Sequence, residues 1–334
     1  MSGFLRYNPS MRVLLVKLSS MGDVLHNLPV VSDLVRAYPG IEIDWVTEAP
    51  YAGLVALHPG VGRVIPTHLR ALKERWWSPE TWSVFLEAKG TLRGRNYDVI
   101  LDTQGLIKSA LVAHWARGPV AGFSRASARE PIATWAYRQK FAVPRDLHAV
   151  ERNRRLAAGI FGYQPSSPVD YGIPPPAPGL VDSTTTAYVV FLHATSRADK
   201  MWPETNWVAL GQRFRELDIG VVLPWGDSTE RRTSERLAHF LPGAVVPSAM
   251  SLIEAATLLA QARGAIGVDT GLAHLSVALG RPTVGLYTTT SPDRTGLYGN
   301  SQTTNLGGGE PRRPAIPTVD EAWQACRPMT GKAS

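Results

Sequence analysis

The stretch VLLVKLSSMGDVLHNLP, residues 13–29, decides the fold. Its first four residues are aliphatic without a polar break, the composition of a short strand buried on both faces. Small residues follow, and then Val24, Leu28, Val31 and Val35 recur at spacings of four, three and four, the period of an amphipathic helix. The stretch reads as strand, turn SSMG, helix, with Asp23 where one hands over to the other. Pro29 lies inside the periodic segment, so the helix either kinks there or restarts with Pro29 in its first turn. A carboxylate at a helix start is ordinarily a cap favoured by the helix dipole. Just beyond a buried strand, however, it also stands where open parallel sheets bind their ligands.

The same rhythm runs outward in both directions. IEIDWVT (41–47), RVIPT (63–67) and YDVILDTQ (97–104) read as further strands separated by helical or Gly-containing segments. QPSSPVDYGIPPPAPG (164–179) has the Pro, Gly and Ser density of a linker. Beyond it, YVVFLHA (188–194), IGVVLPW (219–225), AVVP (244–247), AIGVD (265–269) and TVGLYT (283–288) read as strands. Ser251 and Glu254 form a capping box ahead of the apolar stripe Leu252, Ala255, Ala256 and Leu259. Strands alternating with helices predict an α/β protein with parallel sheets and right-handed crossovers. Its 334 residues suit two domains. The expected division is an N-terminal extension (1–10), a first Rossmann-like domain (11–165), a linker (166–180), a second Rossmann-like domain (181–300) and a tail (301–334) with room for a helix packing back. Two such domains enclose a cleft.

Composition excludes several classes. No run approaches the roughly 18 apolar residues of a membrane span, and MSGFLRYNPS lacks the apolar centre of a cleavable signal, so a cytoplasmic location is expected. The single cysteine, Cys326, rules out an internal disulfide and lies in no activated-thiol context. The charge of +7 is uneven: residues 1–165 carry 21 Lys and Arg against 13 acids, residues 166–334 carry 14 against 15. LRALKERWW (69–77) and the segment 117–155, with nine cations and three acids, concentrate the excess. From charge alone, nucleic acid, an anionic membrane surface and a merely solvated face all stay open. Trp76, Trp77 and Trp82 beside the cations suit either a wet interface or a core.

The polar residues after the strands of the second half are the candidate site. Thr195-Ser196-Arg197-Ala198-Asp199-Lys200 sets two hydroxyls and a cation after YVVFLHA, groups suited to phosphate oxygens. Thr270-Gly271-Leu272-Ala273-His274 follows AIGVD, with a glycine at a helix start that favours anions. Asp269 with Thr270 also reads as a helix cap, Lys200 as a surface ion pair, and Glu230 as either a ribose acceptor or a cap. A nicotinamide enzyme is disfavoured, because SSMGDV offers one glycine where the dinucleotide fingerprint needs three. No Asp-x-Asp pair and no His and Cys cluster at ligand spacing is present, so no metal or cofactor is expected; Lys200 and helix-end amides are left to stabilise a diphosphate.

The combination VLLVKLSSMGDVLHNLP, DTQGLIKSAL (102–111), AREP (128–131), FLHATSRADKMWP (191–203), LPWG (223–226) and VDTGLAHL (268–275) closely resembles the bacterial lipopolysaccharide heptosyltransferase I family of glycosyltransferase family 9, in order and over residues 11 to 300. The resemblance implies the two-domain GT-B fold, inversion at the anomeric carbon, and transfer of L-glycero-D-manno-heptose from ADP-heptose to the Kdo of Kdo2-lipid A. It implies a peripheral enzyme at the anionic cytoplasmic face of the inner membrane, not a nucleic-acid binder. In that family Asp23 matches the general base. Thr195, Ser196 and Lys200 match the diphosphate loop, Ser196 standing where threonine is usual. Glu230 matches the ribose contact, Met250 a residue near the adenine, and Asp269, Thr270, Gly271 and His274 the loop for heptose and phosphates. Arg70, Lys73 and Arg129 fall where basic residues meet the acceptor, although Ala71 replaces a common arginine and the tail GGGEPRRPAIP departs from the usual continuation. Within that reading His26 either tunes Asp23 or is a hydrogen-bonded structural histidine. Heptosyltransferase II, which adds the second heptose, is the neighbouring alternative; a non-catalytic nucleotide- or lipid A-binding protein is the distant one.

Overall fold

The computed structural model describes residues 11–69, 79–176, 187–195, 197–299, 301–309 and 315–331, and it divides into two compact units, Met1–Ile173 and Pro174–Ser334.

The first unit holds six parallel strands in the order β3-β2-β1-β4-β5-β6. Along the chain these are β1 (Arg12–Val16), helices α1 (Met21–Leu25) and α2 (Leu28–Ala37), β2 (Glu42–Glu48), α3 (Ala52–Ala56), β3 (Arg63–Thr67), α4 (Pro79–Arg93), β4 (Val99–Asp102), α5 (Ile107–Trp115), β5 (Val120–Phe123), β6 (Gln139–Phe141) and α6 (Ala149–Phe161). Val13, Leu14, Leu15 and Val16 are fully buried, as a central parallel strand with helices on both faces requires. Pro29 does not kink a continuous helix: α1 ends at Leu25, Asn27 takes the cap position, and α2 starts again with proline in its first turn, where a missing N–H costs nothing. The expected SSMG turn is shorter than its residues suggested, since Met21 and Gly22 already belong to α1.

The start of the Pro- and Ser-rich stretch is fastened to this first unit. Ser166 donates its N–H and its hydroxyl to Asp33 Oδ1 at 3.1 and 2.8 Å. Asp33, buried on α2, also pairs with the buried Arg154 of α6 at 2.7 Å. Tyr171 and Ile173 are buried as well.

The second unit holds five parallel strands in the order β11-β10-β9-β7-β8. Its elements are β7 (Tyr188–Leu192), α7 (Glu204–Arg215), β8 (Gly220–Val222), α8 (Ser228–His239), α9 (Leu252–Gln261), β9 (Ala265–Val268), α10 (Gly271–Ala278), β10 (Thr283–Tyr287), β11 (Thr303–Gly307) and α11 (Val319–Ala325). The capping box at Ser251 and Glu254 forms as read from the sequence. AVVP does not become a strand: it contributes a single bridge, Val222 to Val245, because Pro247 has no N–H to extend a ladder. The described residues beyond 300 pack on this unit: β11 lies beside β10, and Ala322, Cys326 and Met329 are buried in the cluster that includes Trp207, Phe214 and Leu286. Burial pushes the Cys326 thiol well above its ordinary value, which makes it inert. No helix among the described residues is long and apolar enough to cross a membrane.

Candidate active site

In each unit the chain leaves its first strand toward one side of the sheet and returns to its other side. The switch falls between β1 and β4 in the first unit and between β7 and β9 in the second. Side chains just past those four strands stand at the crevice where doubly wound sheets bind ligands.

At the first switch α1, which follows β1 after residues 17–20, carries Asp23, and β4 ends in the sequence DTQG (102–105). Gly105 takes φ of +68°, a conformation that favours glycine, and its carbonyl accepts from Glu130 N at 3.0 Å, which brings residues 128–130 against the turn. Gln104 clamps the β1 loop from both sides: Leu18 N–H donates to its Oε1 at 2.7 Å, and its Nε2 donates to Ser19 O at 2.7 Å. Asp102, fully buried, anchors the arrangement by accepting from Tyr137 OH at 2.7 Å, Ser109 Oγ at 2.8 Å and Gln104 N at 2.8 Å. Burial raises the Asp102 carboxyl above its ordinary value and those bonds oppose the rise.

Asp23 caps its helix by accepting from Ser20 N–H at 3.2 Å, as the capping reading anticipated. It also meets Arg129 Nη1 at 3.3 Å. The Ser20 hydroxyl adds a 3.5 Å contact, and all three fall on Oδ2. Beneath it, Lys17 is buried and donates to Thr103 O at 2.9 Å; burial lowers its amine to about 8, partly offset by Asp23 and Asp102. Lys108 donates to Ser19 Oγ at 2.8 Å. Three cations thus gather at the turn after β1: the Asp23 charge is felt at Lys17, Arg129 pairs with Asp23, and Lys108 holds Ser19. His26 is buried, its carbonyl accepting from Asn153 Nδ2 at 3.3 Å and its ring set edge-on to His148 at 5.2 Å, a packed histidine of the first unit.

The second switch gathers Thr195, Lys200 and Asp269. Lys200 Nζ lies 2.6 Å from Asp269 Oδ2, and Thr195 Oγ1 donates to Asp269 O at 3.1 Å. Thr290, after β10, adds a hydroxyl 3.3 Å from Asp269 Oδ2. Thr270 is the cap position of α10 and makes no side-chain cap bond, and Gly271 opens the helix; the first amides of a helix lack intrahelical acceptors and attract anions. His274 is buried in that helix. Glu230 does serve the start of α8, accepting Gly226 N–H at 2.7 Å, while Asp227 is the cap residue proper. Met250 stands one residue before the Ser251 cap of α9, partly exposed. His193, at the end of β7, shares a 2.8 Å hydrogen bond with Ser234, and burial lowers it to about 4, so it is neutral.

Arg70, Lys73 and Ser196 lie outside the described residues, as do Trp76 and Trp77. Sequence reasoning passed over Lys17, Gln104, Lys108 and Thr290. Lys17 carried a readable signal, a lone cation closing an aliphatic strand; Gln104, Lys108 and Thr290 carried none beyond lying near strand ends.

Two doubly wound parallel units, each with a polar set at its switch point, define a glycosyltransferase of the GT-B class when the likeness to known structures is added. The chain superposes on E. coli heptosyltransferase WaaC with ADP at a TM-score of 0.86 and 37% identity, covering 94% of this chain and 98% of that one. The same comparison with WaaC carrying ADP-2-deoxy-2-fluoro heptose gives 0.83, again at 37% identity, 94% and 98%. Lipopolysaccharide heptosyltransferase 1 of Pseudomonas aeruginosa is 44% identical over 309 residues, 92% of this chain and 86% of that protein. Residues 86–321 match glycosyltransferase family 9 (heptosyltransferase). The chain belongs to that family.

Proposed function

We propose that this chain is an inverting heptosyltransferase I, moving L-glycero-D-manno-heptose from ADP-heptose to the Kdo of Kdo2-lipid A. The observation that carries the reading is Asp23, held at a switch point with its Ser20 and Arg129 contacts all on one oxygen. Its Oδ1 is left to take the proton from the acceptor hydroxyl, whose oxygen attacks the anomeric carbon from the face opposite the departing ADP. As the bond from the anomeric carbon to the β-phosphate oxygen breaks, Lys200 and the first amides of α10 receive the charge that develops on ADP. Thr195 and Ser196 add hydroxyls to the phosphates, and Asp269, Thr270, Gly271 and His274 line the sugar side. Asp269, paired with Lys200, holds that ammonium in place until phosphate competes for it. Glu230 and Met250 are assigned to ribose and adenine, and Arg70, Lys73 and Arg129 to the anionic acceptor. That acceptor is lipid-anchored, so the enzyme works at the anionic cytoplasmic face of the inner membrane, to which the net positive first half is suited.

The test mixes purified protein with ADP-heptose and, in separate tubes, Kdo2-lipid A or its singly heptosylated form, and reads product mass. Product in the first tube alone supports the reading. Product in the second alone moves the acceptor one sugar outward, to heptosyltransferase II. Product in neither tube overturns the transferase.

A further inference from the structure

Ten large apolar side chains stand exposed among the described residues, and four of them fall on two elements that touch. Ile107 (41% exposed) and Leu111 (43%) share one face of α5, four residues apart. Ile132 (65%) and Trp135 (56%) share one face of the 3-10 helix Pro131–Ala136, three residues apart, where side chains eclipse. The two elements are tied at both ends. Glu130, just before the 3-10 helix, accepts Ile107 N–H at 2.7 Å, and the Trp135 ring lies 5.6 Å from that of His114 on α5. The result is one contiguous apolar patch with an indole on it, and such patches mark interaction surfaces.

Its neighbours identify the partner. From residue 117 to residue 140 the chain carries Arg117, Arg125, Arg129, Arg138 and Lys140, all exposed, against a single acid. That acid, Glu130, is occupied by the backbone of α5. Arg129 reaches Asp23, and Lys108, between Ile107 and Leu111 in sequence, reaches Ser19 of the Asp23 loop. Exposed apolar and indole groups in a segment rich in exposed cations suit an interface that is oily at depth and negative at its surface. We infer that the patch of Ile107, Leu111, Ile132 and Trp135 docks the protein on an anionic lipid bilayer, with the indole at headgroup depth and the Asp23 loop beside the lipid surface. The purpose rests on the heptosyl-transfer reading, because a lipid-borne acceptor must be met at the bilayer; the docking itself needs no acceptor. A protein partner would need complementary acids around an apolar centre, whereas anionic lipid supplies both features in one surface.

The test is co-sedimentation of the full chain with vesicles of phosphatidylethanolamine and phosphatidylglycerol, and with phosphatidylcholine alone. The wild type is expected to partition to the anionic vesicles, less so as salt rises. The double variant Ile132→Ser with Trp135→Ser is expected to lose roughly tenfold or more of that partitioning. Phe240→Ser, at another exposed apolar site in the other unit, is expected to leave it unchanged. Equal partitioning of wild type and double variant overturns the inference, as does a wild type that ignores anionic vesicles. Sedimentation velocity without lipid guards against self-association: a wild-type dimer that the double variant abolishes makes the patch a contact between copies, and overturns it too. A second measurement avoids any loss of folding. Ile132→Cys labelled with an environment-sensitive dye is selective because Cys326 is fully buried; a blue shift on adding anionic vesicles supports docking, and an unmoved spectrum overturns it. Absence of heptosyl transfer together with intact vesicle binding refutes the proposed function and leaves the docking surface standing.

Discussion

Arg129 Nη1 sits 3.3 Å from Asp23 Oδ2, a contact across 106 positions of sequence. It joins the segment after β5 to α1, and it spends the same carboxylate oxygen that caps that helix. Cap and ion pair therefore both orient Asp23 through Oδ2.

Asp23→Ala removes one cap and one surface-side ion pair, about 1 kcal/mol of stability. The variant is expected to fold and to bind ADP as the wild type does, with turnover lower by roughly 10²- to 10⁴-fold. Thermal unfolding, calorimetric ADP titration and product mass check the three parts; retained turnover removes Asp23 from the mechanism.

Lys200→Ala deletes the ammonium paired with Asp269. ADP binding is expected to weaken by about ten- to a hundredfold, the size of a lost hydrogen bond to a charged group, whereas stability moves by less than about 1 kcal/mol. Lys200→Arg restores only part, because a planar guanidinium does not replace a compact ammonium. Calorimetry reads both.

Lys17 makes stability depend on pH in a definite direction. Its folded amine is lowered to about 8 from 10.5, so between those values the unfolded chain holds a proton that the folded protein has released. Stability attributable to Lys17 therefore rises as pH climbs from about 8 toward 10.5, on the order of 3 kcal/mol over the window. Below pH 8 the buried charge is a cost. Denaturant unfolding across that range is expected to show wild type gaining on Lys17→Met; parallel curves would refute the assignment.

Arg154→Met strands Asp33, a buried carboxylate left with Ser166 alone. A loss of about 3–5 kcal/mol is expected, and adding Asp33→Asn should recover part of it because no buried charge then remains unpaired. Chemical denaturation of the single and double variants decides.

Salt separates the two ligands. Residues 1–165 carry the whole positive excess and residues 166–334 do not. Raising ionic strength is expected to weaken acceptor binding far more than donor binding. Equal salt slopes for the two would break the link between charge and acceptor.

The sequence by itself determined the class of fold and the positions of its strand ends. Unbroken aliphatic runs such as VLLV can satisfy their burial only in a sheet covered on both faces, and the four-three-four spacing after it is a helix signature. Both are local properties, so they survive translation into structure. Strands without such a signal escaped: VAGF and QKF are short, and TTNLG is polar because it edges its sheet. What only the tertiary structure decided is who meets whom. Strand order places the loops after β1 and β4 side by side, and that adjacency brings Gln104 onto the Asp23 loop and sets Lys17 beneath it. The choice between kink and restart at Pro29, the pairing of Lys200 with Asp269, and the exposure of Trp135 were likewise closed only by packing. Periodicity records which face of an element is apolar; long-range contacts depend on the register and order of strands far apart in the chain, which no local pattern encodes.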